Sequence, residues 1–167
     1  VWNATPDSNP AAYETAVSWT GLVNGWYNII TFVVAFALVG FAKKYSPKNV
    51  HAFCLLLAAL GFLAFPLIAN KYVLFVAITG FGIGWASMMG IPYLMVVADI
   101  PKERYGVYMG IINMMIVIPM IIQNLTFGYI LKNFLNNDPR LAITFAGVLL
   151  LTATFCTLLI KTKKVAH

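Results

Sequence analysis

Charge is what this chain has least of. Only 10% of its residues are Asp, Glu, Lys or Arg, where a soluble domain carries about a quarter. Five long stretches hold none at all: Val17–Ala42, Ala52–Ala69, Tyr72–Ala98, Val107–Leu131 and Leu141–Ile160. Soluble helices are apolar on one stripe, and these are apolar all round, which excludes a water-soluble fold. Alternating segments of about ten residues are also lacking, which excludes a membrane β-barrel. No ionisable side chain lies deep in any stretch, so this piece supplies none of the usual proton or ion relays. Cysteine is scarce: Cys54 and Cys156 both sit inside apolar stretches, with no metal-ligand spacing between them. A disulfide would need their helices to touch, and buried thiols acting as small apolar residues fit the pattern better. There is no nucleophile beside a base and no glycine loop after a strand, so the expectation is no enzyme, no metal and no cofactor.

What is present is 61% hydrophobic sequence with a mean hydropathy of +0.84. Each stretch reaches or nearly reaches the ~20 residues that a helix needs to cross hydrocarbon. The expected fold is therefore an all-α integral membrane bundle of five transmembrane helices, each satisfying its own backbone hydrogen bonds. The net charge of +6 does not point to nucleic acid, because its distribution follows the spans. Lys43, Lys44, Lys48, Lys102, Arg104, Lys161, Lys163 and Lys164 come after the first, third and fifth spans. Only Lys71, Lys132 and Arg140 fall on the other side. This is the cytoplasmic bias of short loops. It predicts an extracytoplasmic loop over residues 1–16, a transmembrane part over 17–161 and a cytoplasmic tail over 162–167, in a plasma (inner) membrane.

The chain starts without Met in a polar segment, and neither a charged start nor a short apolar core marks a signal peptide. A fragment of a longer membrane protein is expected. Asn3-Ala4-Thr5 matches a glycosylation acceptor on the outer side and is treated as chance. Trp19 suits an interfacial anchor. The brief Asn70-Lys71 turn makes the second and third spans antiparallel neighbours, and Asn136-Asn137-Asp138-Pro139 is a turn before the fifth.

Polar residues divide the spans into two kinds. The second and fifth hold little beyond Thr, Cys and Gly, and are expected outside, against lipid. The first, third and fourth carry amides, Ser, Tyr and prolines, and are expected to face a polar interior. On the first, Gly21, Asn24, Asn28 and Thr31 recur at helical spacing beside Tyr27. On the third, Gly80, Gly84 and Ser87 form a small-residue stripe that permits close helix contact. Gly84, Gly90 and Pro92 make that helix a candidate for flexing, since Pro92 removes a backbone hydrogen bond. Ser87 and Tyr93 are candidate substrate contacts. The fourth places Asn113 and Asn124 on one face, with Pro119 and Gln123 adjacent. Each amide has two readings: a hydrogen-bonding wall for a polar solute, or a bond between neighbouring helices.

The run Gly82-Ile83-Gly84-Trp85-Ala86-Ser87, continued by Ile91-Pro92-Tyr93, is followed by Gly106-Val107-Tyr108-Met109-Gly110-Ile111-Ile112-Asn113 and Ile116-Val117-Ile118-Pro119. It resembles the sugar/proton symporters of the solute carrier 45 type, relatives of plant sucrose carriers, within the major facilitator superfamily. His51-Ala52-Phe53-Cys54-Leu55-Leu56-Leu57 is similar too, whereas the superfamily's loop signature is only faintly echoed between Gly40 and Lys48. The resemblance implies that the spans correspond to helices eight to twelve of a twelve-helix carrier, with helices nine and twelve outside. It implies a sugar substrate (a sucrose- or maltose-type glycoside), a proton as coupling ion, and a missing N-terminal half as partner. The family pattern has Pro-Gln in the eleventh helix where this chain has Pro119-Met120, so Gln123 is the candidate replacement. The coupling charges of the family lie chiefly in the first half. Two alternatives stay open: a facilitator for another small polar solute, and a non-transporting scaffold or accessory subunit.

Overall fold

The computed structural model describes residues 6–97 and 100–160, with the side chains of Lys43 and Lys102 left aside. Asn3, Asp99 and the Lys161–His167 tail lie outside the described residues. Among those residues there are helices and turns and no strand. The helices are α1 (Pro10–Lys44), α2 (Pro47–Ala64), α3 (Val73–Val97), α4 (Tyr105–Asn133) and α5 (Pro139–Leu159). All five are long and apolar enough to cross a membrane. A short 3-10 turn, Phe65–Leu67, extends α2, and another, Lys102–Arg104, precedes α4.

Local chemistry sets the boundaries. Asn9 caps α1 by accepting the Ala12 N–H at 3.1 Å, with Pro10 at the first helical position. Residues 10–16, read from their polarity as loop, are therefore already helical. At 35 residues α1 is about 52 Å long, well beyond the ~30 Å of hydrocarbon. Bilayer thickness sets how much of a helix must be apolar, not where its hydrogen bonding stops. Asn70 Oδ1 accepts the Tyr72 N–H at 2.9 Å and tightens the turn between α2 and α3. Between α4 and α5, Asn136 and Asn137 take φ of 50° and 56°, a left-handed conformation that Asn tolerates better than most residues. Asp138 then caps α5 by accepting the Arg140 N–H at 2.8 Å.

Small side chains decide which helices touch. α3 packs against α1 on one side and α2 on another, and α5 closes on the far side of α2. A Cβ added at Gly80 would run into the carbonyl oxygen of Leu57, and one at Gly61 into that of Ala77. At Gly82 it would lie 2.9 Å from the Tyr27 carbonyl oxygen, and at Gly147 2.9 Å from Cγ of Leu63. Leu38, Cys54 and Ala86 form a buried cluster joining α1, α2 and α3, with Val34, Val50 and Ile83 packed on it. Lys48 Nζ donates to the Leu158 and Ile160 carbonyls at 3.3 and 2.9 Å, tying the start of α2 to the end of α5.

The order of the helices refines the sorting by polarity. α5 does lie at an edge, with Leu149, Phe155 and Leu159 exposed. α2 is instead flanked on two sides and buries Ala52, Cys54, Leu55, Ala58 and Ala59, leaving Phe53 and Leu60 facing out. Its small residues let α3 and α5 approach, which a polarity count does not register. α4 stands apart: it touches α3 at few points, and Ile112 is its one buried residue among those described.

Candidate functional site

Polar groups within the spans fall into those that bond helix to helix and those that do not. Three of the bonds between helices join α1 or α2 to α3. The Trp26 indole donates to Thr79 Oγ1 at 2.9 Å, and Thr31 Oγ1 donates to the Gly82 carbonyl at 3.1 Å, both joining α1 to α3. His51 Nδ1 and Ser87 Oγ lie 2.8 Å apart between α2 and α3. Ser87 is completely buried there, so a residue expected to meet substrate is committed to packing. Its stripe partner Gly84 is equally committed, with Ala58 of α2 where a Cβ would go.

Asn24 and Asn28 are different. Asn28 Nδ2 donates to the backbone carbonyl and Oδ1 of Asn24 at 2.8 and 2.9 Å, so the two amides bond along α1 and not across to another helix. Both remain exposed. Tyr27, beside them and half-buried, sets its ring edge-on to Phe81 of α3 with centroids 5.3 Å apart. Thr31, assigned to the same stripe by spacing, turns to α3 instead, because it sits nearer the packed side of α1.

On α4, Gln123 and Asn124 are exposed, and neither side chain has a partner among the described residues. Asn113 is different: its Oδ1 accepts the Tyr93 hydroxyl at 2.6 Å, bridging α3 to α4 where few other contacts do. At 1.5 Å per residue, Tyr93 and Asn113 lie about 6 and 12 Å from the α3–α4 turn. Asn28, Gln123, Asn124 and Asn24 lie about 24–30 Å from the same end of the bundle. The polar candidates thus form two tiers.

The flexible positions lie at the lower tier, with Gly90 and Pro92 about 8–11 Å from the α3–α4 turn, and between the tiers, with Pro119 at about 21 Å. Gly90 has open space around it, and Pro92 stands inside α3 and Pro119 inside α4. Each proline deprives the carbonyl four residues earlier, on Met88 and Met115, of its helical donor. Gly90, Pro92 and Tyr93 fall within four consecutive residues, which puts a backbone weak point beside the α3–α4 hydrogen bond. Gly84 does not share that freedom.

At the far end of the bundle aromatic and basic side chains cluster. Trp19 packs edge-on to Tyr72 and Phe75 at 5.5 and 6.0 Å, and Lys71 Nζ sits 4.3 Å above its ring. A groove of about 920 Å³ opens there between α1, the 65–74 segment and Arg140 of α5, and contains none of the candidate residues. Among the described residues no group of three His, Cys, Asp or Glu side chains is placed to hold a metal. Cys54 is a buried free thiol and Cys156 an exposed one.

Sequence reasoning missed the Trp26–Thr79 and His51–Ser87 pairs. Their partners are distant in the chain, and only the helix order brings them together. The family model of the Major Facilitator Superfamily matches residues 8–167. No curated protein and no solved structure matches the chain significantly.

Proposed function

This chain belongs to the major facilitator superfamily of membrane transporters, and we propose that it is part of a secondary carrier that moves a sugar, of the sucrose or maltose glycoside type, together with protons. Asn24 and Asn28 carry the reading. They are exposed, neutral and bonded to each other along one helix, and among the described residues neither bonds to another helix. A sugar offers several hydroxyl donors and acceptors and no charge, which is what amides and phenols in a charge-free span can recognise. Gln123 and Asn124 on α4, at the same depth, and Tyr27 complete the proposed wall. Ser87 is left out because it is buried against His51.

Transport would follow alternating access around a midplane site, with this part rocking against an N-terminal half. The Tyr93–Asn113 bond acts as a latch between α3 and α4, and Gly90, Pro92 and Pro119 let those helices bend when it opens. In the proposed orientation residues 1–16 are extracytoplasmic, the C-terminal tail is cytoplasmic, and the latch lies on the cytoplasmic side. The proton is carried elsewhere, because the stretches that hold these amides, Val17–Ala42 and Val107–Leu131, contain no Asp, Glu, Lys, Arg or His.

Asn28→Leu in the full-length carrier tests the reading in reconstituted vesicles. The loss of a hydrogen bond of about 1–1.5 kcal/mol should raise the sugar KM roughly 5–10-fold while the protein stays in the membrane. Unchanged KM would return Asn28 to a packing role. Uptake with and without an imposed pH gradient separates the symporter from an uncoupled facilitator.

A further inference from the structure

Three tryptophans fall within the described residues, and two have evident structural roles. Trp19 lies near the start of α1 with its ring covered by Lys71. Trp26 spends its indole N–H on Thr79 and packs edge-on to Phe75. Trp85 fits neither pattern. It is the middle residue of α3, far from the interfacial belt where tryptophan is at home. Its side chain is 39% exposed, and its indole N–H has no partner among the described residues. A large ring with an unpaired donor is costly in hydrocarbon. That cost disappears if the ring meets a ligand with both an apolar face and hydroxyls.

The surroundings hold Trp85 in place. Phe81, one turn earlier on α3, lies 5.8 Å from it at 33°. Phe62 of α2 stacks on Phe81 at 4.7 Å and 16°, and Tyr27 of α1 meets Phe81 edge-on. Three helices thus converge on Phe81, which braces the indole. The stack also connects Trp85 to the α1 surface that carries Asn24 and Asn28, because Tyr27 is a neighbour of both. Along α3, Trp85 lies about 18 Å from the Val97 end, between the Tyr93–Asn113 latch and the upper tier of amides. An apolar platform with a few well-placed polar groups around it is the usual composition of a small-molecule site.

We propose that Trp85 is the platform on which the transported sugar ring stacks. The C–H face of one ring of the disaccharide lies on the indole, and the Nε1–H, which points along the indole plane, donates to a hydroxyl of the other ring. Asn24 and Asn28, about 6–12 Å further along the bundle axis, take hydroxyls of that other ring. The proposal rests on the sugar-carrier reading and assigns the specificity of that site to a residue outside the set chosen for its polarity.

The test compares Trp85→Leu and Trp85→Phe with the parent, each as the full-length carrier in vesicles, using sucrose and maltose as probes and measuring KM and maximal rate separately. Trp85→Leu should raise KM about tenfold or more with the maximal rate little changed, and Trp85→Phe should recover most of the affinity. Saturating sugar should also shift the tryptophan emission of the parent and leave that of Trp85→Phe unshifted, a measurement that holds even if Trp85→Leu fails to insert. A parent that transports sugar, with a Trp85→Leu KM within twofold of its own or an emission shift that persists in Trp85→Phe, overturns the platform alone. A parent that transports neither sugar overturns the sugar reading and the platform with it.

Discussion

Glycine 80 offers a sharp test of how α2 and α3 hold together. The position faces the Leu57 carbonyl so closely that a methyl group cannot be added without displacing backbone. Ordinary contact for a Cβ begins near 3.4 Å, so Gly80→Ala must push the helices apart locally by the better part of an ångström. Gly61 and Gly84 sit on the same interface and are equally tight, so the displacement cannot be absorbed nearby. Opening a packed contact by 0.5–1 Å forfeits about a quarter to a half of its dispersion energy. Overpacking a well-filled site typically costs about 1–3 kcal/mol, and a contact against main chain belongs toward the upper end of that range. Gly90→Ala is the control, because nothing lies within 4 Å of the added methyl and alanine favours helix by up to about 1 kcal/mol. Reversible unfolding in mixed micelles should therefore show Gly80→Ala destabilised by roughly 2–3 kcal/mol and Gly90→Ala neutral or slightly stabilised. Equal effects of the two substitutions, or a loss below about 0.5 kcal/mol at Gly80, would refute the close α2–α3 approach.

Two further outcomes follow from the hydrogen bonds. Tyr93→Phe removes the donor to Asn113 and should loosen α4 by about 1 kcal/mol. The readouts are faster amide exchange at the start of α4 and a changed maximal uptake rate at nearly constant KM; unaltered exchange would show that the bond is not a latch. In a double-mutant cycle, His51→Leu and Ser87→Ala should couple by about 0.5–1.5 kcal/mol in thermal stability while leaving the sugar KM in place. Zero coupling would mean that the pair contributes nothing to holding α2 against α3.

How much was legible beforehand depended on range. Each span could be read from its own residues, because a helix in lipid must satisfy its hydrogen bonds locally and hide no charge. Turn chemistry was equally local, as the Asn136-Asn137-Asp138-Pro139 turn illustrates. The start of α1 precedes the apolar stretch because Asn9 and Pro10 nucleate helix irrespective of where that stretch begins. Ser87 and Asn24 looked alike as sequence, each a small polar residue in an apolar helix. One is sealed against His51 and the other stays open, a difference that depends on which helix lies opposite.

By itself, then, the sequence determined the class of this protein, its five spans, its turns and the neutrality of its polar residues, since all of these follow from local composition and hydrogen bonding. Only the tertiary structure decided that α2 is flanked on two sides, that Thr31 and Ser87 bond across helices while Asn24 and Asn28 bond along one, and that Trp85 is braced and part-exposed. Those properties depend on how closely two backbones approach, and that distance is set by glycines and alanines meeting across helices far apart in the chain.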